Sequence, residues 1–126
     1  MKGAVWRFAG LGLAIVVAAP TAAQPSDGFG EFWTRFKAAV ARDDRQAEAA
    51  MVVLSPTLDQ AEPLTFARFH ADHLGPRARR CLATAKPVRD TDGEGQANYS
   101  AFCGELIYVF ERVGGAWKLT DVAAND

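Results

Sequence analysis

The 126-residue sequence lacks several features that would define its class directly. It has no internal repeat, no low-complexity tract and no complete catalytic or metal-binding motif. It has only two cysteines and two histidines, and its basic residues do not outnumber its acidic ones. The sequence by itself therefore assigns no catalytic residue, no cofactor and no metal.

The apolar run near the start is too short for a membrane anchor. It has 12 positions, and a transmembrane helix needs about 20. Lys2 and Arg7 precede it, Pro20 ends it and small residues follow, which is the pattern of a cleavable signal peptide over residues 1–23. We predict cleavage before Gln24. No cysteine lies beside that site, which excludes a lipoprotein, and the mature protein is expected in the periplasm or the medium.

The mature chain is small and acidic. Removing residues 1–23 takes away two of the 14 basic residues and none of the 15 acidic ones, which leaves 12 against 15 and a net charge of −3. This balance excludes a generally basic nucleic-acid binder. Residues 24–126 are enough for one domain with a modest core.

The two cysteines, Cys81 and Cys103, are predicted to form a disulfide, because export places them in an oxidising compartment. The bond would close a loop of about 23 residues and stabilise the fold by roughly 3 kcal/mol. The alternative is a redox-active pair, but such pairs usually have only two residues between the cysteines.

The first half of the mature chain has the apolar spacing of helices. One helix begins near Phe29, where Ser26 or Asp27 can cap it. A second begins near Asp43 and stops before Pro56. The apolar face of the first helix consists of Phe29, Phe32, Trp33, Phe36 and Val40, and the basic residues beside it, Arg35, Lys37 and Arg42, are expected in solvent. The apolar face of the second helix consists of Ala47, Ala50, Met51 and Leu54.

A loop and a third helix follow. Residues 55–63 contain two prolines and have no period, which predicts a loop. Thr65 can cap a helix over residues 66–74, which Gly75 ends. Pro76 can start one or two more helical turns.

Beyond Lys86 the pattern alternates, which predicts strands. The predicted strands are residues 86–90 at an edge, 97–102, 106–113 and 116–122, with a turn at 92–95. Gly114 and Gly115 form a two-residue hairpin turn that sets the register. This register places Phe110 opposite Leu119 and Tyr108 opposite Asp121. One face then carries Tyr108, Phe110, Trp117 and Leu119, beneath the first helix, and the other carries Ile107, Val109, Glu111, Lys118 and Val122.

Helices followed by a strand meander predict an α+β domain in which helices cover one face of a curved antiparallel sheet. The segments FWTRFKAAV at 32–40 and CGELIYVFERVGGAWKL at 103–119 resemble small exported bacterial proteins of the nuclear transport factor 2-like, or cystatin-like, fold. The resemblance implies a cone-shaped domain over residues 24–126. Enzymes of that superfamily, such as steroid isomerases and dehydratases, place an acid or a histidine in the cone. No motif here matches theirs position by position.

The predicted pair of Tyr108 and Asp121 is the first candidate site. A carboxylate on an apolar face must be hydrogen-bonded or hydrated. Either Asp121 lies at the rim, or this face holds a ligand pocket with Tyr108 and Asp121 as its polar groups. In such a pocket the pKa of the acid would be raised and the acid could act as a base.

His70 and His73 lie three residues apart on the third predicted helix, so they can share a metal or pass a proton. A metal would need a third ligand from elsewhere. The neighbouring Phe66 and Phe69 favour the alternative, in which the histidines pack at the edge of the core.

Five positive charges without an acid among them lie within residues 77–89. They are Arg77, Arg79, Arg80, Lys86 and Arg89. This segment is either a solvated flank or a contact, through Arg77, Arg79 and Arg80, for an acidic partner protein or an anionic component of the envelope.

These features favour a non-catalytic domain that binds a ligand or a partner through the concave face of the sheet. One alternative is a small-molecule isomerase or hydrolase that uses Asp121, Tyr108 or the pair His70 and His73. Another is a stabilising or inhibitory partner of an envelope protein. A homodimer is compatible with each hypothesis.

Overall fold

The computed structural model describes residues 27–54 and 65–125. The signal peptide, the cleavage site and the loop 55–63 lie outside the described residues. The helices are α1 (Phe29–Ala41), α2 (Arg45–Ala50), α3 (Phe66–His73) and α4 (Pro76–Thr84); the strands are β1 (Val88–Thr91), β2 (Ala97–Cys103), β3 (Leu106–Val113) and β4 (Ala116–Ala124). This order confirms the α+β class. None of the described helices is long and apolar enough to cross a membrane.

The four strands form an open antiparallel meander in the order β1-β2-β3-β4. Gly114 and Gly115 both have positive φ, at 60° and 84°, as a tight hairpin turn requires. The pairing of β3 with β4 next to the turn is as predicted. It runs from the pair Val113 and Ala116 to the pair Phe110 and Leu119.

Beyond Phe110 the predicted register is wrong, because β4 contains a bulge at Thr120. Val109 lies opposite Asp121, and Tyr108 lies opposite Val122. The extra residue turns each later side chain of β4 to the other face. Asp121 is therefore exposed on the outer face, whereas Val122 packs against the core instead of facing outward as predicted.

The inner face of the sheet, which carries Tyr108, Phe110, Trp117 and Leu119, is covered as predicted. Phe110 is fully buried. Its ring centroid lies 5.2–5.8 Å from those of four aromatic residues of α1, which are Phe29, Phe32, Trp33 and Phe36. The inner face of the sheet is thus covered by side chains of α1.

The α2 region differs from its prediction. The helix begins at Arg45, is capped by Asp44 and ends at Ala50. The next residues run beside β4: Val53 N donates to the Leu119 carbonyl at 2.9 Å, and Leu119 N donates to the Met51 carbonyl at 2.8 Å. Strand-like pairing at this edge therefore replaces the last predicted turn of helix.

Of the remaining predictions, the Thr65 cap and the disulfide are confirmed, but the cap residue of α1 is Gly28, not Ser26 or Asp27. Thr65 caps α3 by accepting a hydrogen bond from Arg68 N at 3.3 Å. The helix α4 is longer than the one or two turns predicted. Cys81 and Cys103 are bonded, with 5.8 Å between their Cα atoms, so the disulfide ties α4 to the end of β2.

Candidate functional site

Two carboxylates and one imidazole come together where the α1–α2 junction meets α3. His70 Nε2 lies 2.7 Å from Asp43 Oδ1 and 3.4 Å from Glu48 Oε2. One ligating atom from each of the three residues lies within 4.8 Å of the other two. We call these three residues the acid–histidine cluster.

The backbone places Asp43 at the cluster through the way α1 ends. Asp43 N donates to the Val40 carbonyl at 3.1 Å and Asp44 N to the Ala39 carbonyl at 2.9 Å, which is the Schellman pattern. Asp43 holds the left-handed position of that motif, with φ of 53°. Glycine is usual there, and a non-glycine residue adopts it at a cost of roughly 1–2 kcal/mol. Aspartate is one of the few non-glycine residues that adopt this conformation, and here it brings the carboxylate to His70.

Asp44 then fixes the start of α2, and Glu48 follows one turn later. Asp44 Oδ1 accepts a hydrogen bond from Ala47 N at 3.1 Å, and the Asp44 carbonyl accepts one from Glu48 N at 2.9 Å. The short helix thereby turns Glu48 towards α3, where it meets His70.

The cluster is buried at one end and open at the other. Glu48 is 0% exposed and His70 is 6% exposed. The side chain of Asp43 is 34% exposed. A small ligand would therefore reach the cluster past Asp43.

The carboxylate of Glu48 is fully buried beside His70. Neither of its oxygens has a hydrogen-bond partner in the part of the chain that the structure describes. The Nε2 atom of His70 carries at most one proton, and Asp43 lies closer to that atom than Glu48 does. Burial raises the pKa of Glu48, although the nearby His70 and Arg79 oppose that effect. A buried carboxylate in this state is costly to keep ionised.

Asp43 has the opposite electrostatics. Its hydrogen bond with His70 is the largest effect on its pKa, which lies below the usual value of the carboxyl, and the charges of His70, Arg45 and Arg79 lower it further. The cluster therefore contains two acids with opposite pKa shifts: the pKa of Asp43 is lowered and the pKa of the buried Glu48 is raised.

Arg79 contributes charge to the cluster without a direct bond. Its positive charge favours the ionised forms of Asp43 and Glu48. Its Nε atom is buried and has no hydrogen-bond partner among the described residues. Arg77 and Arg80, grouped with it in the sequence, are exposed. The structure thus separates Arg79 from the predicted anion-contact surface.

The predicted ligand pair of Tyr108 and Asp121 is not brought together. Tyr108 is fully buried, and its hydroxyl donates to the His73 carbonyl at 2.6 Å. Burial raises the pKa of Tyr108 to about 12. Asp121 lies on the outer face as a result of the bulge at Thr120.

The two histidines, which the sequence offers as a pair, have different surroundings in the structure. The ring centroid of His73 lies 5.1 Å from that of Phe69, and His73 is not one of the three residues of the acid–histidine cluster. His70 instead meets acids from earlier in the chain. In the sequence, Asp43 is predicted only to start a helix, and Glu48 is not among the predicted site residues. Glu48 lies three residues before Met51, which is predicted to face the core. This spacing places the acid on the buried side of the second helix, and that is the signal that could have identified it.

Comparisons with protein-family models, with curated protein sequences and with solved structures found no match for this chain. The evidence on function is therefore the geometry of the cluster itself.

Proposed function

We propose that this chain is an exported, non-catalytic binding domain whose acid–histidine cluster holds a divalent transition-metal ion, with zinc as the best fit. One observation carries the proposal. The Glu48 carboxylate is fully buried without a hydrogen-bond donor among the described residues, yet it lies 3.4 Å from the ring nitrogen of His70. A cation between these groups would satisfy the carboxylate.

The donor set suits zinc better than calcium or magnesium. Zinc binds imidazole nitrogen and carboxylate oxygen at about 2.0–2.2 Å, usually with four ligands. Two ligands of a tetrahedral zinc lie about 3.3 Å apart, close to the 3.4 Å between His70 and Glu48. Calcium prefers about six to eight oxygen ligands, and magnesium a near-octahedral oxygen shell. One nitrogen and two oxygens leave a fourth zinc position on the open side, near Asp43.

The charges of the cluster are compatible with a divalent ion. Asp43 and Glu48 together neutralise two positive charges, and Arg79 favours the ionised form of each. The ion would bind His70 Nε2 with the ring proton on Nδ1, and a proton held by Glu48, whose pKa is raised, would be released on binding. The half-buried side chain of Asp43 would have to move by about 0.6 Å, since it lies 2.7 Å from His70 Nε2 and two ligands of a tetrahedral zinc lie about 3.3 Å apart.

The proposal does not extend to an enzyme that uses Tyr108 and Asp121, because those side chains lie on opposite faces of the sheet. It also moves the binding site away from the concave face of the sheet, which α1 fills with aromatic side chains.

The site is tested by calorimetric titration of residues 24–126 with zinc after removal of metal by EDTA. We expect one zinc per chain, and a proton release revealed by repeating the titration in buffers of different ionisation enthalpy. Glu48→Gln and His70→Gln should each weaken binding at least about tenfold.

Two controls make this titration decisive. Glu105→Gln alters an exposed acid in the β2–β3 turn and should leave the affinity unchanged, and magnesium should not replace zinc. Equal zinc affinity in the wild-type protein and in Glu48→Gln would overturn the proposal, as would the absence of saturable binding.

Export and the fold family belong to the same proposal. The disulfide supports an oxidising compartment, and the order of helices and strands supports a nuclear transport factor 2-like domain. N-terminal sequencing of protein recovered from the periplasm or medium should begin at Gln24. Protein that retains Trp6 in the membrane fraction would contradict export.

A further inference from the structure

A second polar site lies on a different part of the domain, between the start of α1 and the β3–β4 hairpin. A groove of about 450 Å³ opens there, and three basic residues line it: Arg35, Arg112 and Lys118. Arg35 comes from α1, whereas Arg112 and Lys118 flank the hairpin turn. The groove therefore gathers cations from positions far apart in the sequence.

These three cations are not neutralised within residues 27–54 and 65–125. The ion pairs of that part of the chain involve other basic residues: Arg42, Arg45, Arg68, His70 and Arg89. Arg35, Arg112 and Lys118 form none at 4.0 Å or less. The mature chain has a net charge of −3, so this group of cations is a local positive region in an acidic domain. Such a region attracts anions.

Two of the cations are held in place by backbone carbonyls. The Nη2 atom of Arg112 donates to the Asp27 carbonyl, and its guanidinium lies 5.1 Å from the centroid of the Trp117 ring. The Nζ atom of Lys118 donates to the Ala50 carbonyl. An arginine has five N–H donors and a lysine three, so donors of both side chains remain for a ligand.

The acid that lines the groove, Asp27, is already engaged by other groups. Its carboxylate accepts hydrogen bonds from the Tyr99 hydroxyl at 2.6 Å and from Phe29 N at 3.0 Å, and it lies 3.7 Å from Arg89. Burial opposes its ionisation, but these contacts and the charge of Arg112 together lower its pKa. Asp27 thus opposes only part of the positive charge of the groove.

The groove also has an apolar side, formed by Phe32, Met51 and Trp117. The indole N–H of Trp117 donates to the Asp27 carbonyl at 2.8 Å, which fixes the ring beside Arg112. Phe32 and Trp117 are almost completely buried, so only a small apolar part of a ligand can pack here, beside Met51, while its charged end meets the cations.

We propose that this groove binds a small organic oxyanion, a carboxylate or phosphate attached to an apolar or aromatic body, through Arg35, Arg112 and Lys118. The site is independent of the acid–histidine cluster, since it shares no residue with it. Because the oxygens of a carboxylate or a phosphate match the N–H donors of arginine, Arg112 and Arg35 would contact the anionic group. The apolar part of the ligand would lie beside Met51 and the exposed edge of Trp117.

The test titrates residues 24–126 with phenyl phosphate and with benzoate at constant ionic strength. Binding is followed by calorimetry and by tryptophan fluorescence, since only Trp33 and Trp117 remain in the mature chain. We expect saturable binding of at least one of the two. The tighter probe identifies the anionic group, and benzyl alcohol, which has no charge, should bind at least tenfold more weakly.

Variants decide whether the groove is responsible. Arg35 makes no hydrogen bond or ion pair with other described residues, so Arg35→Gln should keep the melting temperature and weaken binding about tenfold. Lys118→Gln should weaken binding similarly. Arg80→Gln removes an exposed charge outside the groove and should leave binding unchanged. Saturable binding of neither probe would overturn the proposal, as would equal affinity in the wild-type protein and Arg35→Gln.

Discussion

The aromatic core and the acid–histidine cluster are two buried regions of one small domain, and they are built in opposite ways. In the core, Phe110 packs against four aromatic rings of α1 with no polar atom to satisfy. In the cluster, Glu48 is equally buried but has no hydrogen-bond donor among the described residues. Burial stabilises the first region and costs free energy in the second. The core therefore maintains the fold, whereas the buried, unsatisfied Glu48 lies where the metal site is proposed.

The core should show the largest effect on stability. Phe110→Ala is expected to lower the free energy of unfolding by about 3–5 kcal/mol, because it removes a fully buried ring and leaves a cavity. The measurement is urea denaturation of the disulfide-bonded mature protein. The control is Phe102→Ala on the outer face of the sheet, where the side chain is 50% exposed and a much smaller loss is expected. A loss below about 1 kcal/mol for Phe110→Ala would contradict this packing.

The disulfide should come next. Replacing both Cys81 and Cys103 by alanine is expected to lower the free energy of unfolding by roughly 3 kcal/mol, since the bond constrains the unfolded chain. Because neither cysteine belongs to the acid–histidine cluster, zinc affinity should not change while the variant stays folded. Unchanged stability, or two alkylatable thiols in the native exported protein, would show that the bond does not have this role.

The same contrast explains what could be predicted from sequence. The aromatic stripe of α1 and the Gly114-Gly115 turn are local patterns, so the packing and the register near the turn were predictable. The bulge at Thr120 depends on how two strands fit together, and it reversed the placement of Asp121 and Val122. The cluster joins residues 27 positions apart, Asp43 and His70. Neither its pairing nor the left-handed backbone of Asp43 has a local sequence pattern that would predict it.

The pH dependence of stability should distinguish the two acids of the cluster. The pKa of Asp43 is lowered, so its contribution is present above its usual value of 3.8 and is lost as the pH falls through the lowered pKa. The pKa of Glu48 is raised, so stability is lost as the pH rises from its usual value of 4.5 through the raised pKa.

Metal-free Glu48→Gln tests the second effect. Its stability relative to the wild-type protein should increase as the pH is raised from 4 to 7 in urea denaturation, with almost no difference at the acidic end. A difference that stays constant over this range would mean that ionisation of Glu48 is not the cause.

The smallest effect is expected at Asp121. Because the side chain is exposed on the outer face of the sheet, Asp121→Asn should change the free energy of unfolding by less than about 0.5 kcal/mol. Zinc affinity should also be unchanged. Loss of affinity in this variant, measured in the same calorimetric titration, would restore Asp121 as a site residue.

The central claim is that Glu48 is kept for binding at a cost to stability, and it is tested most directly by one pair of unfolding curves. The free energy of unfolding of the wild-type protein and of Glu48→Gln is measured at pH 7, once in EDTA and once in excess zinc. In EDTA the variant should be the more stable protein, since a neutral amide replaces a buried carboxylate whose pKa is raised by burial. In zinc at about 100 times its dissociation constant, the wild-type protein should gain about 2.7 kcal/mol and become the more stable of the two. If Glu48→Gln is the less stable protein by the same margin in both solutions, Glu48 stabilises the fold and the cluster is not a metal site.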